Sequence, residues 1–140
     1  MKTFVAGLLV LYLSFCAGLA LAQNPEKEQA AIVAAQQWLE LVDANHYGRS
    51  WQQAATHFQT GVSKTKWRDA MMAVRKPLGR LQSRQLLSAD YQTSLPGAPD
   101  GEYVVIQFQT SFANKQKAVE TVTPKLETDG SWRVSGYYIR

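Results

Sequence analysis

The chain has 140 residues, 46% of them apolar, with 15 lysine and arginine residues against 11 aspartate and glutamate residues. Aromatic residues occur throughout and the charge is modest, so the composition excludes a collagenous, low-complexity or intrinsically disordered chain. A chain of this length forms a single domain by default, and no linker or internal repeat divides it. The composition therefore predicts one mildly basic globular domain.

The N-terminus has the pattern of a secretory signal peptide. Lys2 supplies the positive n-region, and residues 4–19 form an apolar h-region. Ala20-Leu21-Ala22 is the small-x-small pattern that a signal peptidase accepts, so cleavage is expected before Gln23. The mature protein is then expected in the periplasm or secreted.

The predicted domain organisation is a signal peptide at 1–22 followed by a single domain at 23–140. In the alternative, the uncharged residues 3–22 stay attached as a membrane anchor, because about 20 apolar residues can span a bilayer as a helix. Cys16 is the only cysteine in the sequence. Its removal with the signal peptide would exclude intrachain disulfides, cysteine metal sites and cysteine nucleophiles.

Helical periodicity dominates the first half of the mature chain. Residues 28–43 place an apolar stripe on one side, which predicts an amphipathic helix. Apolar residues that recur across 47–58 predict a second, shorter helix, capped by Asn45 and ended by Gly61. The stripe of the first helix consists of Ala31, Ile32, Ala35, Trp38, Leu39 and Val42.

A third predicted helix begins after a Ser63 or Thr65 cap and is stopped by Pro77 and Gly79. It opens a strongly basic segment in which Asp69 is the only acid. The favoured interpretation is a solvated outward face, and the alternative is a patch that binds an anionic envelope component. The basic residues are Lys64, Lys66, Arg68, Arg75, Lys76, Arg80 and Arg84.

From residue 81 onward the hydrophobic period changes to two, which predicts strands. Pro124 cannot donate to a strand ladder, so it indicates an edge strand or a bulge. The predicted fold class is α+β, with three N-terminal helices packed on a curved four-stranded antiparallel sheet. The strands are expected from residue 81 through Leu87, Ala89 and Tyr91, across 104–112, at about 117–126 and at 132–139.

Several short segments carry a resemblance to a known family. They are Trp38-Leu39-Glu40-Leu41-Val42-Asp43, Ser50-Trp51, Pro77-Leu78-Gly79, residues 93–104, Ala118-Val119-Glu120-Thr121, Trp132-Arg133-Val134 and Gly136-Tyr137. Over residues 29–140 the chain resembles a bacterial envelope family catalogued as domain of unknown function 4019. The helices-then-sheet order is also similar to the nuclear-transport-factor-two-like, or cystatin-like, cone fold. The resemblance implies an exported single domain without an assigned reaction, and it supplies no catalytic residue.

Four residues are candidates for ligand binding: Asp43, His46, Tyr91 and Tyr138. Asp43 and His46 lie three residues apart at the end of the first helix, where a carboxylate can orient an imidazole. The tyrosines are potential hydrogen-bond donors at the edge of the core. Ordinary structural roles are the favoured interpretation for all four, and no residue is assigned a catalytic one.

An enclosed carboxylate would give the fold a chemistry of its own, because burial changes the affinity of a carboxylate for protons. Asp43, Asp90 and Glu120 are acids that could point inward, although a strand residue such as Glu120 is expected on the solvent face. A carboxylate in a closed apolar cavity, within reach of a tyrosine or histidine, would indicate an enzyme. A filled core would exclude one.

The favoured function is therefore a non-enzymatic envelope module that binds a small ligand or an envelope protein. The alternative is a small lyase or isomerase that uses a carboxylate in the cone cavity. Neither a cofactor nor a metal is expected, because two histidines without a motif do not make a metal site. Nucleic acid is not an expected partner, and the membrane is one only through the uncleaved signal segment. A homodimer could form through the sheet face that carries Gln107, Gln109 and Ser111.

Overall fold

Four helices precede four strands in the structure, a computed structural model that describes residues 23–140. The predicted signal segment at 1–22, which contains Cys16, lies outside the described residues. The α+β class, with helices ahead of an antiparallel sheet, is confirmed. The elements are α1 (Pro25–Asp43), α2 (Tyr47–Gln52), α3 (Thr56–Gly61), α4 (Lys64–Leu78), β1 (Leu81–Gln92), β2 (Tyr103–Phe112), β3 (Lys115–Leu126) and β4 (Trp132–Ile139).

The predicted second helix is in fact two short helices, α2 and α3, so the number of helices is corrected from three to four. Between them the backbone is extended at Ala55, whose N–H donates to the Val134 carbonyl of β4 at 2.8 Å. Ala54 and Ala55 are both fully buried against the sheet side of the molecule. The apolar spacing continues across the break because both helices face the same core. Asn45 is not the cap of α2, since it has a φ of 63° and His46 occupies the N-cap position.

The longer helices begin and end largely where local sequence signals place them. The whole predicted apolar stripe of α1 is buried. The Ser63 hydroxyl accepts from the Lys66 N–H at 3.2 Å, so Ser63 is the cap of α4. Pro77 lies inside the last turn of α4, and the helix ends at Gly79, which has a φ of 75°. Its ψ is −160°, and this combination of positive φ with extended ψ is essentially restricted to glycine.

The sheet has the order β1-β2-β3-β4, so β1 and β4 are its edges. The inner face of β2 is buried as the alternation predicts, at Val104, Ile106 and Phe108. Pro124 lies at a register shift between β3 and β4, which confirms the bulge and rejects the edge position. Leu87 falls in a second register shift, in β1, and is exposed, so the predicted alternation fails there.

An aromatic cluster joins the helices to β4. The Trp38 ring centroid lies 5.9 Å from that of Trp67 and 5.3 Å from that of Tyr137, and the Phe58 ring stands edge-on to Trp67 at 4.9 Å. Edge-on and tilted pairs of this kind add to the stabilisation from burial alone. The cluster fixes α1, α4 and β4 relative to one another. No helix within residues 23–140 combines the length and the apolar character that a membrane crossing requires.

Candidate functional site

A buried group of charged side chains connects the helices to all four strands. Its charges balance, with two arginines and two carboxylates, as burial of ionic groups requires. Each member comes from a different element, so the group exists only in the folded chain. The members of this ionic network are Asp43 of α1, Arg75 of α4, Arg84 of β1, Thr110 of β2, Glu120 of β3 and Tyr137 of β4.

Asp43 lies at the C-terminal end of α1 and is held by both arginines. Its Oδ1 accepts from Arg75 Nη2 at 2.8 Å and from Arg84 Nη2 at 3.0 Å, and its Oδ2 accepts from Arg84 Nη1 at 2.8 Å. Burial by itself would raise the pKa of Asp43, but the hydrogen bonds from Arg84 and Arg75 outweigh burial and hold that pKa below its ordinary value. Asp43 is therefore an ionised carboxylate whose charge is already compensated.

Glu120 is the deepest member of the network, with 0% of its side chain exposed. Its Oε1 accepts from Arg84 Nε at 2.7 Å and from the Thr110 hydroxyl at 2.6 Å, and its Oε2 accepts a short hydrogen bond from the Tyr137 hydroxyl. Burial, followed by the Glu120 charge, raises the pKa of Tyr137 far above its ordinary value, so Tyr137 stays a neutral donor. The prediction that Glu120 faces solvent is wrong, since it lies between the buried Ala118 and Val122 on the inner face of β3.

The predicted candidates fall in different parts of the molecule. Asp43 belongs to the ionic network, and His46 is exposed at the start of α2. Tyr91 donates to Glu102 at 2.7 Å, in a group that includes Lys27 near the start of α1. Asp43 lies sixteen positions after Lys27 along α1, which is about 24 Å at the helical rise. Tyr138 is 55% exposed, and the strand directs its neighbour Tyr137 into the network instead.

The sequence reasoning missed most of the network. The sequence analysis placed Arg75 and Arg84 on outward faces, and both placements are wrong. Arg75 is only 6% exposed, and Arg84 is largely enclosed by its two carboxylate partners. A signal existed for Arg75, which follows Trp67 and Met71 at helical steps of four on the buried side of α4. No local pattern identifies Arg84, whose partners come from α1 and β3.

A pocket of about 770 Å³ opens beside Asp43, between the start of α2 on one side and α4 with the start of β1 on the other. This volume is in the range of ordinary small-molecule sites. Four of the lining residues are cationic, and the only acid among them is the already paired Asp43. We call it the basic pocket; its lining residues are Asp43, Asn45, Tyr47, Gly48, Arg68, Met72, Arg75, Lys76, Gly79, Arg80 and Leu81.

A shallower depression continues the basic pocket along α4. The two share Asn45, Tyr47, Gly48 and Arg68, and the depression adds His46, Arg49 and Lys64. A side chain at Gly48 would place its Cβ only 3.0 Å from the Lys64 Cε, so the glycine lets the lysine lie close across α2. We call the pocket and the depression together the basic groove.

The cations of the basic groove are mostly available to a ligand. Five of them form no ion pair with any residue in 23–140; these are Arg49, Lys64, Arg68, Lys76 and Arg80. Arg75 is paired with Asp43, but its buried Nε has no hydrogen-bond partner among the described residues. The described part of the chain has no group of three or more histidine, cysteine, aspartate or glutamate residues that could hold a metal ion. The groove is suited to binding anions.

The predicted test for an enzyme, a carboxylate near a tyrosine, gives a mixed result. Glu120 accepts a hydrogen bond from Tyr137, but neither residue lines the basic pocket or the depression beside it. Both Glu120 oxygens are occupied by donors of the protein itself. In this geometry the pair stabilises the fold and offers no free oxygen to a substrate.

Comparison with known proteins gives a family but no activity. No functionally curated protein matches the chain. A family model described as "Protein of unknown function (DUF4019)" matches residues 34–137. The matched segment begins before Asp43 and ends at Tyr137, so it contains every member of the ionic network. The chain therefore belongs to the DUF4019 family of proteins of unknown function.

Proposed function

We propose that the protein is an exported, non-enzymatic module that binds an anionic ligand in the basic groove. One observation carries the proposal: five cationic side chains without a carboxylate partner line one continuous concave surface of the described chain. Cations on a protein surface usually alternate with acids, and an excess of one sign in a cleft concentrates the field there. Such a field attracts counter-ions into the cleft.

The chemistry of the lining supports an anion that also has an apolar part. Arginine binds carboxylate and phosphate groups through two parallel hydrogen bonds, and Arg68 and Arg80 are free to do so. Met72 and Leu81 provide apolar surface between these cations. Ligand sites typically combine apolar walls with a few polar groups that fix orientation.

The ionic network supports binding indirectly. Arg84 and Arg75 neutralise Asp43, so the one carboxylate of the groove does not repel an incoming anion. The same contacts hold the end of α1, which borders the basic pocket, against α4 and the sheet. A lyase or isomerase has less support, because Glu120 and Tyr137 lie outside the groove.

A titration with citrate, a small tricarboxylate, tests the binding proposal. We expect saturable changes in the NMR shifts of the amides around the basic groove at about 20 mM salt, and weaker binding at about 300 mM, because salt screens exposed charges. The double variant Arg68→Gln/Lys76→Gln should weaken binding by roughly tenfold, which is the effect expected for the loss of two exposed ion pairs. Absence of saturable shifts near the groove would contradict the proposal.

A matched control separates the groove from net charge. Lys66 lies on the same helix and Lys117 on β3, both exposed and both outside the groove lining. Lys66→Gln/Lys117→Gln removes the same charge, and we expect it to bind citrate as the unmodified protein does. Equal weakening in the two double variants would mean that citrate follows overall charge alone.

Export is the second part of the proposal and has its own measurement. The Ala20-Leu21-Ala22 pattern before Gln23 supports cleavage of a signal peptide. We expect the intact mass of the protein from the envelope fraction to correspond to a chain that begins at Gln23. A mass that includes residues 1–22, in the membrane fraction, would favour the anchored alternative.

A further inference from the structure

We propose that the anionic ligand is an extended acidic segment of another polypeptide, which lies along the basic groove with alternate side chains directed at α4. The inference rests on the proposed anion-binding function and specifies its ligand. It follows from the spacing of the groove residues on α4 and from the one apolar residue among them.

Four groove residues recur at steps of four along α4: Lys64, Arg68, Met72 and Lys76. Residues four apart lie on the same side of a helix, each about 6 Å further along the axis. Each step of four residues also turns about 40° around the helix, so the four positions form a stripe that is inclined to the helix axis and extends about 18 Å along it. All four contribute to the lining of the basic groove, so a chain in the groove meets them in order.

An extended peptide has nearly the same repeat. Side chains on one side of a strand are separated by two residues, or about 6.6–6.8 Å, so three steps span about 20 Å. The difference from about 18 Å is small compared with the reach of lysine and arginine side chains. A peptide with acidic, acidic, apolar and acidic residues at alternate positions pairs with Lys64, Arg68, Met72 and Lys76, in one of the two chain directions.

Met72 favours a polypeptide over a uniform polyanion. Its side chain is 51% exposed between Arg68 and Lys76. A polymer with a charge at every repeat, such as polyphosphate, would place one of its charges against this thioether, where it finds no counter-ion. A leucine-like side chain would bury apolar surface there, and methionine adapts its shape to such partners.

The concave shape of the groove disfavours a membrane surface as the ligand. Tyr47 and Arg75 line the basic pocket and are nonetheless buried, so its floor lies below the surrounding surface. A flat bilayer would contact the exposed rims and leave this floor without a partner. A single extended chain can enter the groove and contact both its floor and the stripe on α4.

The test measures binding of short synthetic peptides to the purified protein by competition, from the fluorescence anisotropy of one dye-labelled copy of the alternating peptide that the unlabelled peptides displace. The peptide Ac-DSDSLSD-NH2 and its reversal have the proposed alternation, and Ac-LDDDSSS-NH2 has the same composition without it. We expect one alternating peptide to bind at least roughly threefold to tenfold more tightly than the rearranged one, as expected for one or two correctly placed exposed ion pairs. Equal affinities for all three would overturn the proposal.

Met72→Lys provides the sharpest discrimination, because an exposed helix position tolerates lysine and the change adds a charge to the groove. The unmodified protein should prefer the alternating peptide that contains leucine over Ac-DSDSDSD-NH2, in which aspartate replaces the leucine. In Met72→Lys we expect the opposite preference. If Met72→Lys increased the affinity for both peptides by the same factor, only net charge would matter and the proposed register would be rejected.

Two further arms separate this inference from the proposed function. If citrate binds in the groove but the peptides do not discriminate, the peptide proposal is wrong and the anion-binding proposal stands. If neither citrate nor any peptide binds, both are wrong. Stronger, Met72-independent binding to polyphosphate or to phosphatidylglycerol vesicles would assign the groove to a phosphate polymer or to a membrane and would overturn the peptide proposal.

Discussion

Replacing Arg84 by methionine removes the guanidinium that links the two carboxylates of the ionic network. Arg84 donates to Asp43 through Nη1 and Nη2 and to Glu120 through Nε. Methionine fills much of the same volume, so the change is mainly the loss of charge and hydrogen bonds. Glu120 keeps only Thr110 and Tyr137 as donors, and both are neutral. Removal of one partner of a buried ion pair costs about 3–5 kcal/mol because the other charge stays buried.

That loss is large for a domain of this size, whose total stability is expected to be about 5–15 kcal/mol. With a urea dependence of about 2 kcal/mol per molar, Arg84→Met should lower the unfolding midpoint by roughly 2 M. In Arg84→Met/Glu120→Gln, the second substitution removes the charge that the first leaves without a counter-ion. The double variant should therefore lose less stability than the sum of the single variants, with a coupling on the order of 2 kcal/mol.

The assay is urea unfolding followed by tryptophan fluorescence, for the unmodified protein, both single variants and the double variant. Arg133→Met serves as the control, since Arg133 is partly exposed and pairs with the exposed Asp129 at 3.5 Å. It should leave the midpoint unchanged, because exposed pairs contribute little. Additive effects of Arg84→Met and Glu120→Gln, within about 0.5 kcal/mol, would refute the reasoning that Arg84 compensates Glu120 in the core.

Three further substitutions test other parts of the structure by urea unfolding. Asp43 has a lowered pKa in the folded chain, so it stabilises the fold above the unfolded pKa near 3.9, and this contribution is lost as the pH falls through the lower folded value. Asp43→Asn should therefore be less stable than the unmodified protein at pH 7, with a difference that shrinks at about pH 3; a constant difference would contradict this. Gly79→Ala should cost about 1–3 kcal/mol because a φ of 75° with a ψ of −160° is essentially restricted to glycine, whereas Gly61→Ala, with open space and no positive φ, should cost nothing; equal effects would exclude strain at Gly79. Ser50→Ala removes the acceptor of the Trp67 Nε1–H at 3.0 Å and should cost about 1–3 kcal/mol, and an unchanged midpoint would mean that Trp67 finds another acceptor.

The element order could be predicted because periodicity is a local property. The stripe on α1 and the alternation on β2 each occur within one segment, and both are found as predicted. The break between α2 and α3 could not be predicted in the same way. The break depends on a hydrogen bond from the Ala55 N–H to the carbonyl of Val134 on the last strand. No sequence pattern near Ala55 predicts that contact.

The candidate site could be predicted only in part. Asp43 was a candidate because it lies three residues from His46 and could point inward; the structure places it in the ionic network and leaves His46 exposed. Tyr137 and Tyr138 are adjacent in sequence, and only the position of the other strands shows which one points inward. Tyr91 is an internal hydrogen-bond donor at the other end of α1. The basic segment was recognised as a set of charges, but not as a groove.

The family, the α+β class and the order of helices and strands follow from local patterns, because these depend on segments whose residues are neighbours along the chain. Which charges are buried and which are free depends on how those segments pack together. Arg84 and Lys76 both belong to the basic segment of the sequence. Arg84 is enclosed by two carboxylates, whereas Lys76 lines the basic groove without an ion-pair partner among the described residues. The physical reason is that charge pairing depends on distances between segments far apart in sequence, and these exist only once the helices pack on the sheet.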